Sequence, residues 1–101
     1  MGRKNKTSDT VIRTEVRERD GALYKYELIM REGERVASYK IALYSFSVEF
    51  MGSDGAHTRA MAKEIFADVG KAIVFFERLV ENLVTPIDLP YVVEDEIYIK
   101  R

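Results

Sequence analysis

The sequence predicts an α+β fold: an antiparallel β-meander of three or four strands with one long amphipathic helix on one face and a short C-terminal helix. Two observations lead to this fold class. Alternating apolar and polar runs, separated by glycine-containing turns, fill the first half of the chain, which is typical of strands joined by hairpins. An apolar stripe of helical period then covers residues 69–84, and the sheet is the partner large enough to bury it.

Length and composition indicate one folded domain. The 101 residues are 47% hydrophobic and 33% charged, which is ordinary for a soluble domain with its own core. We expect residues 1–101 to form a single domain in which residues 1–8, polar and basic, are a flexible arm. The chain has no cysteine, so disulfides, thiolate metal sites and cysteine nucleophiles are excluded.

Charge and hydropathy limit the partners. The formal net charge of −1 gives no general attraction to nucleic acid or to anionic lipid. The apolar runs are far shorter than the roughly 20 residues that span a bilayer, and the first residues lack the apolar region of a secretory signal. We therefore expect a cytoplasmic protein that binds neither nucleic acid nor membrane.

The first two strands are predicted on either side of a tight turn. In TVIRTEVRER, the alternation indicates a half-buried strand with Ile12, Thr14 and Val16 on one side. Asp20-Gly21 is a strong signal for a two-residue hairpin. LYKYELIMR then alternates with Tyr24, Tyr26, Leu28 and Met30 on one side. Gly33, within REGE, predicts the second turn.

The third strand is predicted to be irregular. Its apolar positions are odd-numbered at Ile41 and Leu43 but even-numbered from Tyr44 onward. Because a one-residue slip moves side chains to the other face, we expect a β-bulge or bend at residues 43–45. GSDG at residues 52–55 predicts the third turn. Alanine and methionine in residues 57–67 favour a helix, but three preceding hairpins favour a fourth strand, which we prefer.

The long helix is the clearest element. Asp68 can cap its start and Pro86 ends it. Its apolar stripe contains Val69, Ala72, Ile73, Phe76, Leu79, Val80, Leu83 and Val84. Val74 lies outside this stripe among polar residues, and Phe75 flanks it. We predict that Val74 and Phe75 contact another subunit or a partner, although single exposed apolar residues are also normal.

A short helix is predicted near the C-terminus, with Asp88 as its cap and Pro90 near its first position. Leu89, Val92 and Val93 form its apolar side. A longer helix would turn Glu96 toward that side, and burying an unpaired carboxylate is costly. We therefore expect the helix to stop at residues 94–95 and the last residues to be extended or frayed.

Possible chemical sites each have a simpler structural interpretation. Adjacent carboxylates at residues 94–96 point about 100° apart on a helix and cannot all reach one ion. His57 is the single histidine, and no spacing identifies a nucleophile to accompany it. GSDG is not followed by the lysine and the serine or threonine that complete a phosphate loop. We predict no catalytic, cofactor-binding or metal-binding residue and no cofactor.

Two functional hypotheses follow. The first is a non-enzymatic protein-interaction module that binds an unknown protein partner or self-associates, through the flank of the long helix or an exposed strand edge. The second is a small-molecule-binding protein or simple enzyme with a pocket between sheet and helix. Its lining would come from Tyr24, Tyr26, Tyr39 or Tyr44.

The ending TPIDLPYVVED resembles a family of short bacterial proteins catalogued as a domain of unknown function. Its members combine a tyrosine-containing strand, a helix and a P-x-x-L-x-x-V-V-E-D ending. This ending is matched here by Pro86, Leu89, Val92, Val93, Glu94 and Asp95, and the similarity covers about the last two-thirds of the chain. The resemblance implies a compact single-domain fold and no assigned activity.

Overall fold

The computed structural model describes residues 9–36 and 39–99, which form a four-stranded antiparallel sheet with two helices on one face. The elements are β1 (Asp9–Arg19), β2 (Ala22–Val36), β3 (Tyr39–Met51), β4 (His57–Phe66), α1 (Val69–Glu81) and α2 (Leu89–Ile99). The strands lie in sequence order, β1-β2-β3-β4. The predicted α+β meander is therefore confirmed, with residues 57–66 as its fourth strand. The predicted arm at residues 1–8 lies outside the described residues.

Two of the predicted turns are confirmed. Asp20 and Gly21 have φ values of 54° and 80°, and positive φ at both positions is what a hairpin turn matching the strand twist requires. The turn at residues 52–55 is closed by the Gly52 amide, which donates to the Ala56 carbonyl at 2.8 Å. The Asp54 carboxylate accepts from the Ala56 amide at 3.0 Å.

The turn predicted at Gly33 is wrong, because β2 continues to Val36. The β2–β3 register passes from Glu32 opposite Ala42 to Arg35 opposite Lys40, so β2 carries one extra residue there. Glycine in a strand often marks such a bulge. The connection between β2 and β3 falls at residues 37–38, outside the described residues.

The bulge predicted in β3 lies in β4 instead. β3 pairs with β2 without a shift from Met51 to Ala42. Against β4, the register moves from Phe46–Ala62 to Tyr44–Phe66, so β4 carries the extra residues. Since β3 is regular, its odd-numbered apolar residues, Ile41 and Leu43, lie on the face opposite Tyr44 and Phe46.

The β4 bulge has a specific anchor. Glu64 adopts a φ of 56°, in the left-handed region, and its amide donates to the Ser45 hydroxyl at 2.9 Å. Its carboxylate accepts from Arg31 at 3.2 Å on the face away from the helices. These contacts hold a backbone conformation that a non-glycine residue seldom adopts.

The core lies between the helices and one face of β2 and β3. Its largest fully buried side chains are Tyr26, Leu28, Phe46, Val48, Phe75, Phe76, Leu79 and Leu89. Three aromatic rings form edge-to-face pairs that reach from the core to its margin at Phe66, which is partly buried: the Phe75 centroid is 5.0 Å from that of Phe46 and 5.6 Å from that of Phe66. Such pairs add about 0.5–1.5 kcal/mol each beyond area burial.

The faces of β1 are reversed relative to the prediction. Ile12 is 39% exposed and Val16 is 50% exposed, whereas the Arg13 guanidinium lies 5.2 Å from the centroid of the Phe76 ring and donates to Glu77. β1 is at the sheet edge, beyond the area that α1 covers. Long charged side chains reach the helix from this position better than short aliphatic ones.

α1 begins as predicted and ends before Pro86. The Asp68 carboxylate accepts from the Lys71 amide at 3.1 Å, which confirms the predicted cap. At the other end, Leu83 has a φ of 47°, and the Val84 amide donates to the Leu79 carbonyl at 3.1 Å. This is a Schellman termination with leucine at the position that usually holds glycine.

α2 is longer than predicted. Thr85, one turn upstream, starts the helical path: its hydroxyl accepts from the Asp88 amide at 3.2 Å and its carbonyl from the Leu89 amide at 3.0 Å. The Asp88 carbonyl then accepts from the amides of Tyr91 and Val92. The helix runs to Ile99 rather than stopping at residues 94–95, and the reason lies in the contact made by Glu96.

Candidate functional site: a groove between the two helices

A groove separates α1 from α2 on the covered face of the sheet. α1 lies mainly over β2 and α2 lies over β4, which leaves a channel between them. We define the interhelical groove by the residues that line it: Phe66, Gly70, Lys71, Val74, Phe75, Arg78, Asn82, Val84, Val92, Asp95 and Glu96. It consists of two cavities of ≈ 300 and ≈ 550 Å³, and Arg78 and Glu96 line both.

An ion pair crosses this groove. Arg78 Nη2 donates to Glu96 Oε1 at 2.6 Å. The Arg78 guanidinium also lies 5.7 Å from the centroid of the Phe75 ring. The Glu96 side chain is only 14% exposed and that of Arg78 is 43% exposed. Because the carboxylate is paired, the burial cost that predicted an early helix stop is offset, and α2 continues to Ile99.

Val74 and Phe75, the two predicted interface residues, point to different environments. Val74 is 55% exposed and lines the larger cavity of the groove. Phe75 is 1% exposed, and its ring contacts those of Phe46 and Phe66 in the core. The pair is therefore split: Val74 belongs to the accessible surface, and Phe75 supports the groove floor from inside.

The two rims of the groove carry opposite charges. Lys71 and Arg78 lie on the α1 side, seven residues and hence about 10 Å apart along the helix. Asp95 and Glu96 lie on the α2 side. Between them the floor is apolar, with contributions from Phe66 and Val92. This lining suits an amphipathic ligand: apolar groups on the floor and charged groups at either rim.

One buried side-chain polar atom in the described part of the chain has no hydrogen-bond partner, and it belongs to a groove residue. Arg78 Nε is buried and has no acceptor, although Nη2 of the same guanidinium is bound to Glu96. Buried donors are normally satisfied, so this nitrogen is an exception, but it has almost no accessible surface and an acceptor would reach it only if the Arg78 side chain moved. It lies on the cationic rim of the groove.

The three tyrosines of the second hypothesis whose side chains are described do not converge on one pocket. Tyr26 and Tyr44 are core residues, and the Tyr26 hydroxyl donates to the Val84 carbonyl at 3.0 Å. Tyr24 lines a separate cavity of ≈ 310 Å³ with Phe50, Thr58, Thr85, Pro86 and Ile87. The side chain of Tyr39 lies outside the described residues. Tyr26 and Tyr44 are therefore part of the core and do not line a ligand pocket between sheet and helix.

His57 lies on the sheet face opposite the groove. Its Nε2 is within hydrogen-bonding distance of Glu49 Oε2, and both residues are on neighbouring strands near the turn at residues 52–55. The hydrogen bond from His57 holds the pKa of the Glu49 carboxyl below its usual range. As predicted from its position after the turn, His57 is exposed.

Sequence reasoning missed Phe66, Lys71, Arg78 and Glu96 as members of one surface. A signal for the ion pair was present. Glu96 falls on the same helical side as Leu89 and Val93, which are buried, and a carboxylate in that position requires a cation from a neighbouring element. Arg78, one turn beyond the exposed Val74, was the candidate.

The comparisons with known proteins add a family and no activity. None of the helices in the described part of the chain is long and apolar enough to cross a membrane. No curated protein and no solved structure gives a significant match. The model of a family of unknown function, DUF6514, matches residues 7–98. The chain belongs to this family, in agreement with the resemblance seen in its sequence.

Proposed function

We propose that this protein is a non-enzymatic protein-interaction module that binds a segment of a partner protein in the interhelical groove. The observation that carries the proposal is the position of Val74. It is an aliphatic side chain more than half exposed, at the mouth of a groove with an apolar floor and charged rims. The site of action that we propose is the cytoplasm, in keeping with the highly charged, cysteine-free composition.

The groove favours an amphipathic segment with an acidic side chain. Grooves between helices typically accept apolar anchors of a helical or extended peptide, and here Phe66 and Val92 provide the floor. On the α1 rim, Lys71 offers an ammonium group, and Arg78 adds a guanidinium that is already paired with Glu96. An aspartate or glutamate beside the apolar anchor complements this rim.

Binding is expected to rest on few residues. Interfaces usually depend on a small central cluster of anchors, while rim charges set orientation and the rate of association. The floor residues are held by the core, since Phe66 packs against Phe75 and Phe46. The surface is thus largely formed before a partner arrives, which lowers the entropic cost of binding.

A peptide-display selection tests this function. The immobilised protein is offered a random library, and enriched peptides are resynthesised and measured by fluorescence anisotropy. We expect enriched sequences to contain an aliphatic or aromatic residue near an aspartate or glutamate. Val74→Asp should weaken their binding at least tenfold. Val69→Asp is the matched control, because Val69 is also exposed on α1 but does not line the groove.

The charge preference is tested separately. Lys71→Glu should weaken binding of the selected acidic peptides, and replacing the peptide acid by lysine should restore binding to that variant. A selection that yields no groove-dependent peptide, or peptides that bind Val74→Asp and wild type equally, would overturn the proposal. Thermal melts of each variant confirm that the fold is retained.

A further inference from the structure

The outer edge of β1 pairs with no strand in the described part of the chain, although the Val16 carbonyl on that edge accepts from Arg17 Nη1 at 3.0 Å. β1 is the first strand in the sheet order. The two-residue hairpin makes Arg19 and Ala22 the closing pair, and in such a hairpin this pair exchanges both backbone hydrogen bonds. The backbone groups of Arg17 and Glu15 then also point to β2, whereas those of Thr14 and Val16 point to the free edge.

We propose that β1 pairs antiparallel with β1 of a second copy, about a two-fold axis at Thr14, and so joins the two sheets into one. In this register, the backbones of Thr14 in the two copies bond each other. Arg13 lies opposite Glu15 of the second copy, and Ile12 lies opposite Val16 of the second copy. The Arg13–Glu15 and Ile12–Val16 pairs each occur twice because the interface is symmetric, and the Thr14 pair on the axis occurs once.

Charge complementarity selects this register. Centring the axis on Arg13 or on Glu15 places two identical charges directly opposite each other, and also points the wrong backbone groups at the interface. Centring it on Val16 places Arg13 opposite Arg19. Like charges directly opposite are destabilising. Within residues 12–16, the register centred on Thr14 brings together opposite charges on one face and aliphatic side chains on the other.

The exposed aliphatic residues of β1 support the same arrangement. Ile12 and Val16 lie outside the core of the single chain, and long strands with exposed apolar residues at an edge invite pairing. In the proposed dimer, four such side chains meet beside the two Thr14 residues. Ile12 is the extra residue of the bulge between Val11 and Arg13, where the strand bends, so the pairing ends at this residue and the dimer is expected to dissociate on dilution.

This interface does not depend on the groove proposed above, because β1 and the interhelical groove share no residue. Sedimentation velocity over a concentration series is the test. We expect wild type to show a reversible monomer–dimer equilibrium. Val16→Lys should remain monomeric throughout, since it places an ammonium group opposite Ile12. Leu23→Lys is the matched control: Leu23 is comparably exposed at 41% but lies on β2, and the variant should dimerise like wild type.

A charge exchange makes the test independent of apolar contacts. Arg13→Glu should abolish the dimer, because it sets two carboxylates against each other, and the double variant with Glu15→Arg should restore it. Val74→Asp should leave the dimer intact, which distinguishes this interface from one formed by α1. A monomeric wild type at the highest concentration, or equal dimerisation of wild type and Val16→Lys, would overturn the proposal.

Amide hydrogen exchange locates the interface in wild type without mutation. The amides of Thr14 and Val16 should be protected more strongly as protein concentration rises, because only the dimer provides them with acceptors. The amides of Glu15 and Arg17, which point to β2, should be protected at all concentrations. Concentration-independent exchange at Thr14 would contradict the two-fold pairing.

Discussion

Arg78 on α1 and Glu96 on α2 form a 2.6 Å hydrogen bond between charged groups, at the boundary between the two cavities of the groove. The contact joins residues 18 positions apart and allows α2 to extend past the acidic run that was expected to end it. The ion pair therefore both stabilises the last turns of α2 and holds the two rims of the groove at a fixed distance.

Removing the two partners of this ion pair should have unequal effects. Arg78→Met leaves the largely buried Glu96 carboxylate unpaired and should lower the free energy of unfolding by about 2–3 kcal/mol. Glu96→Gln leaves the half-exposed guanidinium in reach of water and should cost about 1 kcal/mol. Urea denaturation measures both values. Equal losses, or a larger loss for Glu96→Gln, would contradict the burial difference between the two side chains.

Neighbouring residues on α1 should differ sharply in their contribution to stability. Phe75→Ala removes the ring at the centre of the aromatic cluster and should cost about 3–5 kcal/mol. Val74→Ala removes an exposed side chain and should change stability by about 0.5 kcal/mol at most. Urea denaturation of the two variants in parallel checks this. A small effect of Phe75→Ala would mean that its ring is not part of the core.

Tyr26 should make stability fall at high pH. Burial raises the pKa of Tyr26 to about 12, whereas a tyrosine in the unfolded chain titrates near 10. Between these values the folded state holds a proton that the unfolded state has lost, so stability declines as pH rises through this window, by about 2–3 kcal/mol in total. Below pH 10 this contribution is fully present.

Tyr26→Phe isolates this effect. At neutral pH the variant should be less stable by about 1–2 kcal/mol, because the Val84 carbonyl loses its donor. Above pH 10 it lacks the ionisation penalty, so the difference from wild type should shrink and then reverse. Urea denaturation at a series of pH values gives both curves. Parallel curves across the window would show that Tyr26 does not carry the pH dependence.

At position 83, which ends α1, glycine should stabilise the protein relative to alanine. Leu83 occupies the left-handed region at a φ of 47°, which costs an L-residue with a Cβ roughly 1 kcal/mol. Leu83→Gly and Leu83→Ala both remove the side chain beyond Cβ, so their comparison reports the backbone preference alone. We expect the glycine variant to be about 1 kcal/mol more stable than the alanine variant in thermal or urea unfolding. Equal stabilities would argue against the termination described here.

Local chemistry explains the elements that the sequence predicted correctly. The Asp20-Gly21 hairpin, the turn at residues 52–55 and the Asp68 cap each depend on residues within three or four positions of one another. Their backbone preferences act before any tertiary contact forms. The apolar stripe of α1 was also recognisable, because its period is set by the helix itself.

The elements predicted wrongly depend on distant neighbours. An apolar alternation in β1 identified a strand but not which side faces α1, since that is decided by the edge position of β1 in the sheet. The register change near Leu43 was assigned to β3, although the extra residues belong to its partner β4. Gly33 has the composition of a turn and acts as part of a bulge within β2.

In the candidate groove too, features set by local sequence were predicted and features set by distant neighbours were not. Val74 was identified because it interrupts a regular pattern, but Phe75 was mistaken for a surface residue because its angular position lies at the border of the stripe. The aromatic rings of Phe46 and Phe66 extend the core to that border. The groove as a whole was not visible in the sequence, since its two rims come from helices whose separation is set by the sheet beneath them.

Because both helices follow the last strand, the four strands leave the ribosome before the helices that cover them in the finished fold. Until residues 69–93 emerge, the rings of Tyr26 and Phe46 and the side chains of Leu28 and Val48 lack the helical layer that buries them in the finished fold. In a nascent chain arrested after β4, the apolar face of the sheet would therefore be exposed to chaperones and to other nascent chains. Residues 69–93 thus cover the apolar face of the sheet that is synthesised before them.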